Sequence, residues 1–464
     1  MSGRRPDPAA GMGDLEAALT REACPVCTRA AGADERWLDH FLYEGWQERE
    51  PMREVARGAG FCAHHARRLE TIGQSATVAL IHLALIRDVL PRLAGRHGRG
   101  KPAPLVAAPD ACEACAQARD VERRECFFLA LLIGARRPDC YGNPALVCMP
   151  HLKQLAGYLD AGTIAGVLAI HGRTVAALGE TLAGAPAPAC AETPADRAIR
   201  VILGPPERRD LLAPERHGAP FGDDPDPVRR MRRRLRHMDS CAICAEISDS
   251  CGAWLGWLAR AAAAQGDLSD VLPLCRHHVW QARVAGGAIL APALAAVVVG
   301  EAEERLVYAG KARELGRGAA IVPPAVQRAW SSMWPSSGSR IAVLDSLQRG
   351  RECPLCRRAR EAGERAVLLL AALLEDTDGR RAFEGGYGLC VRHAAQALAL
   401  PGAPAVAAIV ASTMHARLAL LRWELEEQLR RGAWQARPAG RGAEAGAWLR
   451  APSRFAGTVR VDGP

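Results

Sequence analysis

The sequence predicts an all-α protein made of four tandem helical-bundle repeats, each stapled by a zinc ion and open to packing as pairs. Three observations carry this. A Cys-x-x-Cys pair is followed four times, after 30 to 34 intervening residues, by Cys-x-x-His. The segments around these motifs are rich in Ala and Leu, with apolar residues at helical spacing such as Val367, Leu370 and Leu374. Strand-like runs are nearly absent.

The four sets, read within each repeat, are Cys24/Cys27 with Cys62/His65, Cys112/Cys115 with Cys148/His151, Cys241/Cys244 with Cys275/His278, and Cys353/Cys356 with Cys390/His393. Three thiolates and one imidazole are the donor set of a closed, four-coordinate Zn²⁺ site. Two residues between ligands let one short knuckle aim both at the same ion. A lone Cys-x-x-Cys is weak evidence, but 12 of the 16 cysteines and four of the 13 histidines obey one pattern here. Buried reduced thiols and a disulfide framework are the weaker readings. Soft thiolates with imidazole suit up to four Zn²⁺ per chain, with an iron–sulfur cluster as the alternative cofactor. His64 and His277 stand next to the assigned ligands, but Cys-x-His fits only two repeats whereas Cys-x-x-His fits all four.

At 464 residues the chain can hold several cores, and 49 % hydrophobic residues suit a soluble helical protein. Only three of 60 basic residues are Lys, so Arg abundance alone is no argument for nucleic acid. The formal charge is +9; four Cys₃His sites at −1 each would leave 9 − 4 = +5. The first 13 residues lack the apolar core of a signal peptide. Residues 284–300 are uncharged but short of a membrane span, and they read as a buried helix. A reducing cytoplasm and no membrane are the expectations.

Alignment on the ligands gives the layout. Residues 1–13 are a disordered N-terminus, 14–97 repeat 1, 98–109 a linker and 110–184 repeat 2. A Pro/Ala-rich linker at 185–226 precedes repeat 3 at 227–316, which opens with an Arg-rich helix. A linker at 317–340, repeat 4 at 341–432 and a disordered tail at 433–464 complete the chain. In each repeat Cys-x-x-His opens a helix and an Ala/Val/Leu-rich helix closes the unit, at 76–90, 164–182, 290–308 and 405–428.

Cys-Pro-Val-Cys at 24–27 with Gly-Phe-Cys-Ala-His-His at 60–65, and Cys-Pro-Leu-Cys at 353–356 with Gly-Leu-Cys-Val-Arg-His at 388–393, resemble a largely helical, zinc-binding-like bacterial family of unknown function. The middle repeats lack the Pro and the Gly and share only the ligands. The resemblance implies no activity.

Other candidates lie off the ligand pattern. His82, His171 and His415 recur on the closing helices as extra ligands, proton carriers or core residues. Arg229, Arg230, Arg232, Arg233, Arg234 and Arg236 form the densest basic patch, on a helix whose inner face is Met231, Leu235 and Met238; phosphate gripping and a solvated face are the two readings. Trp37, Phe41, Tyr43 and Trp46 are either a partner surface or local core. Cys126, Cys140, Cys190 and Cys251 read as ordinary buried thiols, with Cys140 near enough to the second site to substitute. No phosphate loop, His-Glu-x-x-His or Gly-x-Ser-x-Gly occurs. The expectation is a non-enzymatic zinc-binding interaction module or scaffold with a protein partner. Nucleic-acid binding through residues 229–236 and a thiol/zinc redox-responsive regulator are the alternatives.

Overall fold

A computed structural model describes residues 23–95, 104–106, 112–136, 141, 146–184, 193–206, 226–237, 239–264, 268, 273–318, 347, 352–432 and 442–457. These residues are helical throughout their regular structure and contain no strand. Repeat 1 supplies α1 (Pro25–Tyr43), α2 (Arg49–Arg57), α3 (Ala63–Ile72) and α4 (Ser75–Ala94); repeat 2 supplies α5 (Glu113–Arg136), α6 (Met149–Ala156) and α7 (Ala161–Gly184). After α8 (Pro194–Leu203) come α9 (Pro227–Leu235), α10 (Ala242–Ala263) and α11 (Arg276–Gly318). Repeat 4 gives α12 (Pro354–Glu375), α13 (Thr377–Gly385), α14 (Val391–Leu398) and α15 (Pro404–Gly432), and α16 (Ala447–Ala456) follows it.

The ligand motifs start helices. Cys62, Cys148 and Cys390 are the N-caps of α3, α6 and α14, with extended ψ of 159–164°. Their carbonyls accept the first helical bonds, from Ala66, Leu152 and Ala394. Cys24, Cys112, Cys241 and Cys353 immediately precede α1, α5, α10 and α12. The Pro of Cys-Pro-x-Cys therefore occupies the first helical position, where its missing N–H costs nothing and its fixed φ suits the helix. Gly60 and Gly388, two residues ahead of Cys62 and Cys390, have φ of 99° and 79°, which explains the Gly of Gly-Phe-Cys and Gly-Leu-Cys. In repeat 3 the helix opened by Cys-x-x-His and the closing helix run together as α11, bent at Gly287 (φ 58°, ψ −147°).

The chain forms two compact units that cut across the repeats. The first comprises residues 1–33, 118–212 and 255–354; the second comprises 34–117, 213–254 and 355–464. Within the first unit, α7 of repeat 2 packs along α11 of repeat 3, and α8 lies against α6, α7 and α11. Within the second unit, α4 of repeat 1 packs along α15 of repeat 4, and α16 lies against α3, α4, α14 and α15. Phe41, Phe61, Ile86, Leu370, Phe383, Leu418 and Phe455 belong to the continuous core of that second unit. By length and composition α15 could cross a membrane. Its Val406, Val410, Met414, Leu418, Leu421 and Leu425 are nevertheless buried, the pattern of a core helix.

The segments expected to be a linker and a disordered tail each contain a helix. The linker at 185–226 contains α8, and the tail at 433–464 contains α16. Each presents a short apolar face, Ala195, Ala198, Ile199 and Ile202 in one and Ala451, Pro452 and Phe455 in the other. Burial of those faces outweighs a Pro- and Arg-rich composition that suggested disorder. The N-terminus at 1–13, expected to be disordered, and Cys140, Cys190, Met238 and nearly all of the linkers at 98–109 and 317–340 lie outside the described residues.

Candidate metal centres

The sixteen candidate ligands gather into four groups, and the partners differ from the expected ones. Cys24 and Cys27 meet Cys148 and His151 in the first unit, cluster I. Cys62 and His65 meet Cys112 and Cys115 in the second unit, cluster II. Cys241 and Cys244 meet Cys390 and His393 there as cluster III. Cys275, His278 and Cys353 converge with Cys356 as cluster IV. Every Cys-x-x-Cys pair thus joins the Cys-x-x-His of the adjacent repeat, not of its own. The within-repeat sets are corrected accordingly. Each motif ends at one helix N-terminus, and a complete site needs two such termini facing each other.

The distances suit one ion per cluster. Zn–S bonds of about 2.3 Å and Zn–N bonds of about 2.05 Å at tetrahedral angles place sulfurs about 3.8 Å apart and nitrogen about 3.5 Å from sulfur. Cys27–Cys148, Cys62–Cys115 and Cys244–Cys390 have Sγ···Sγ separations of 3.7, 3.7 and 3.9 Å. The Nδ1 atom of His151 lies 3.3, 3.4 and 3.2 Å from the sulfurs of Cys24, Cys27 and Cys148. His65 Nδ1 keeps 3.2 to 3.4 Å to its three sulfurs, as does His393 Nδ1. His278 Nδ1 lies 3.3 Å from both Cys275 and Cys353. The histidines that reach the sulfurs are thus those of Cys-x-x-His, and the rings of His64 and His277 stand beside them with centroids 4.8 and 4.9 Å from those of His65 and His278.

The donors of clusters I to III perturb one another strongly. Burial pushes the Cys24 thiol up, but bonds with Cys148, Cys27 and His151 hold it well below the ordinary range. Burial, together with Cys24 and Cys27, pushes Cys148 far up. In cluster II, Cys115 and Cys62 hold Cys112 well down, while Cys112 and Cys62 drive Cys115 up. In cluster III burial raises Cys390, yet Cys241 and Cys244 bring it well down, whereas Cys241 and Cys390 push Cys244 far up. Three thiolates repel one another side by side in a buried site; a divalent cation would remove the repulsion and could take all three. Both helix N-termini at each cluster add positive potential toward the sulfurs.

Two carboxylates missed in the sequence orient ligand histidines. The Nε2–H of His65 donates to Asp34 Oδ1 at 2.7 Å, and Arg68 holds the other oxygen of Asp34 at 2.7 Å. His151 Nε2 lies 3.5 Å from Glu122 Oε1. Asp34 and Glu122 each sit seven residues after the second Cys of their motif, two turns along the same helix face. That recurrence was the available signal. The acceptor fixes the ring and turns Nδ1 toward the sulfurs, where it could serve a metal. At the same offset repeats 3 and 4 carry Cys251 and Gly363.

A second recurrence concerns α8 and α16. Both are ten residues long and both end at a glycine in a conformation closed to side chains, Gly204 (φ 93°, ψ 166°) and Gly457 (φ 85°, ψ 171°). A Cβ on Gly204 would lie 3.1 Å from Cys27 Sγ and 3.4 Å from Cys148 Sγ. One on Gly457 would lie 2.8 Å from Cys244 Sγ and 3.3 Å from Cys390 Sγ. Aligned on these glycines, buried Ala198, Ile199 and Ile202 match buried Ala451, Pro452 and Phe455. Each helix end is fastened. Trp280 Nε1 donates to the Gly204 carbonyl and Arg276 to that of Pro205. Arg454 stacks 3.4 Å from the Tyr387 ring centroid and donates to the carbonyls of Tyr387 and Leu389.

No family model matches the chain. No solved structure matches it either. It is similar to an uncharacterized 23.9 kDa protein in the xynA 3' region of Caldicellulosiruptor sp. (strain Rt8B.4), 24 % identical over 144 residues. The match covers 29 % of this chain and 66 % of that protein, just under two thirds of its length.

The remaining candidates are structural in these surroundings. His82 Nδ1–H donates to the Val78 carbonyl at 2.7 Å, and Tyr141 Oη meets His171 Nε2 at 2.7 Å; burial drives both imidazoles down to about 4. His415 is exposed and Met414 takes the inward position. Phe41 is buried, stacked on Trp37 at 5.2 Å and edge-on to Phe61, so the aromatic group is mostly core; Tyr43 alone is 82 % exposed. Met231 and Leu235 face inward as expected on α9. Arg234 is also buried, paired with Glu246 and Asp249, while Arg230 reaches Glu246 and Arg232 reaches Asp376. Cys126 is buried beside cluster I, and burial pushes its thiol to about 12.

Proposed function

We propose that this chain is a non-enzymatic zinc protein in which four Zn²⁺ ions hold a helical scaffold used as an interaction module for a protein partner. The carrying observation is that each cluster offers four protein donors at single-ion spacing, with no open position for substrate. Zinc is favoured over iron–sulfur clusters because four donor atoms within 4.8 Å of one another enclose one ion, not several. Thiolate-rich sets of this type favour a soft or borderline cation over Mg²⁺ or Ca²⁺. Bound zinc would also fold the chain, since its ligands come together only in the native state. A cytoplasmic setting accords with reduced thiols.

The arginines of α9 are largely engaged by carboxylates, so the proposal rests on the clusters and not on that helix. Elemental analysis of the purified chain tests the metal reading: about four zinc per chain supports it, and iron with visible absorbance replaces it. Affinity capture with the zinc-loaded chain, compared with chelated protein, tests the scaffold reading. A partner retained equally by the unfolded, chelated chain would refute it.

A further inference from the structure

Resting on the reading that the clusters hold zinc, we propose that they form two chemical classes. Clusters II and IV exchange their metal with soft thiol or chelating acceptors and present the reactive thiolates. Clusters I and III keep their thiolates covered.

The division follows from cover and exposure. All four donors of cluster I are buried, as are the three thiols Cys241, Cys244 and Cys390 of cluster III, whose His393 is partly exposed. These are the two clusters that Gly204 and Gly457 approach so closely that an added Cβ would lie 3.1 Å and 2.8 Å from a sulfur. In cluster II, Cys112 is buried but Cys62 and Cys115 are partly exposed. In cluster IV, Cys353 is buried but Cys275 and Cys356 are partly exposed. The same two motif positions, the Cys of Cys-x-x-His and the second Cys of Cys-x-x-Cys, are open in both. Four clusters of the same donors thus sort into two pairs by one structural element, the helix that follows the second repeat of each half.

Metal exchange at a filled tetrahedral site needs an incoming donor to reach the ion as an outgoing one departs. At cluster II an acceptor thiolate can form its bond to zinc as the Zn–S bond to Cys62 or Cys115 breaks, and the released sulfur takes a proton from water. An electrophilic alkene reacts at the same atoms. The sulfur pair of Cys62 forms the S–C bond, the C=C π pair moves to the neighbouring carbon and is protonated by water, and the Zn–S bond is lost. At clusters I and III, the glycine backbone occupies the approach that either reagent would use, and α8 or α16 must first lift.

The test uses the full-length zinc-loaded chain, followed by native mass spectrometry in excess EDTA and by peptide mapping after brief N-ethylmaleimide treatment. Two zinc ions are expected to leave in a fast phase. Cys62, Cys115, Cys275 and Cys356 should label at least about tenfold faster than Cys24, Cys27, Cys148, Cys241, Cys244 and Cys390. Release of all four ions in one phase, or earliest labelling in clusters I and III, would overturn the proposal. A chain that purifies without four zinc ions would instead refute the underlying metal reading. The cause is tested by Gly457→Ala, which cannot keep the native backbone conformation and should move cluster III alone into the fast class, giving three fast ions. Gly204→Ala does the same for cluster I should the first variant not fold. Unchanged kinetics in a folded variant would eliminate α8 and α16 as the cover.

Discussion

Each site takes its two motifs from different repeats, and metal stoichiometry reads that arrangement directly. Consider three multiple substitutions in the full chain: Cys24→Ser with Cys27→Ser, the same pair plus Cys148→Ser and His151→Asn, and the first pair plus Cys62→Ser and His65→Asn. The first removes half the donors of cluster I, leaving two protein ligands, and should lower the zinc count from four to three. The second strips cluster I fully but touches no other site, so the count stays at three. The third removes half of cluster I and half of cluster II, and the count falls to two. Ligation within repeats predicts the reverse, two for the second variant and three for the third. Energetically, structural zinc in small domains contributes about 10–16 kcal/mol of apparent binding free energy. Once cluster I is lost, removing its remaining ligands should therefore cost little more, whereas halving cluster II forfeits a second contribution of that size. Native mass spectrometry counts the ions, and urea denaturation reads the difference. Counts of two and three for the second and third variants would refute the exchanged ligation.

Other expectations follow from single contacts. Asp34→Asn replaces the acceptor behind His65 with a group that cannot match its charge, and zinc affinity at cluster II should fall about 10–100-fold in competition with a chromogenic chelator; unchanged affinity would remove Asp34 from the site. Phe455→Ala, in a segment whose composition suggests disorder, should destabilise the second unit by about 3–5 kcal/mol in denaturant titrations, since Phe455 is buried against His82. Buried His82 and His171 titrate near 4 in the folded chain against about 6.5 unfolded, so the unfolded state takes up protons first. Their contribution is complete above pH 6.5 and is lost as pH falls from 6.5 toward 4, by about 2 kcal/mol each between pH 7 and pH 5. His82→Met should flatten that slope; an identical slope would contradict it.

The residues that cluster were legible because donor spacing writes itself into sequence: a two-residue gap places both donors on one helix start, and a fourfold recurrence leaves little room for accident. Which motifs meet was not legible. A Cys-x-x-Cys pair is half a site, and either neighbouring Cys-x-x-His satisfies the same distance along the chain. Asp34 and Glu122 could have decided it, since each serves the histidine of the cluster that its own motif does not enter. Helices α8 and α16 escaped notice because Pro, Arg and Ala dominate their composition, while three or four apolar residues at helical spacing do the packing. The glycines of Gly-Phe-Cys and Gly-Leu-Cys could be recognised as a pattern, but their reason, a positive φ ahead of the N-cap, belongs to three dimensions.

Two different pairings of repeats interlock in this chain. The clusters join repeat 1 to repeat 2 and repeat 3 to repeat 4. Helix packing joins repeat 1 to repeat 4, through α4 on α15, and repeat 2 to repeat 3, through α7 on α11. Neither half is therefore self-sufficient, although each contains complete ligand sets for two ions. A chain cut between residues 207 and 225 should show this. The N-terminal piece retains clusters I and II but loses the partner of α4, whose Ile81, Leu85, Ile86, Val89 and Leu93 are all buried in the intact protein. At about 1.5–3 kcal/mol for each large apolar side chain, that exposure exceeds what a small domain can tolerate. Expressed alone, the piece should bind two zinc ions yet self-associate or precipitate; co-expressed with residues 226–464 it should form a soluble heterodimer holding four. A soluble, monomeric N-terminal piece with two zinc ions would show that the metal pairing alone suffices and that the α4–α15 contact is dispensable.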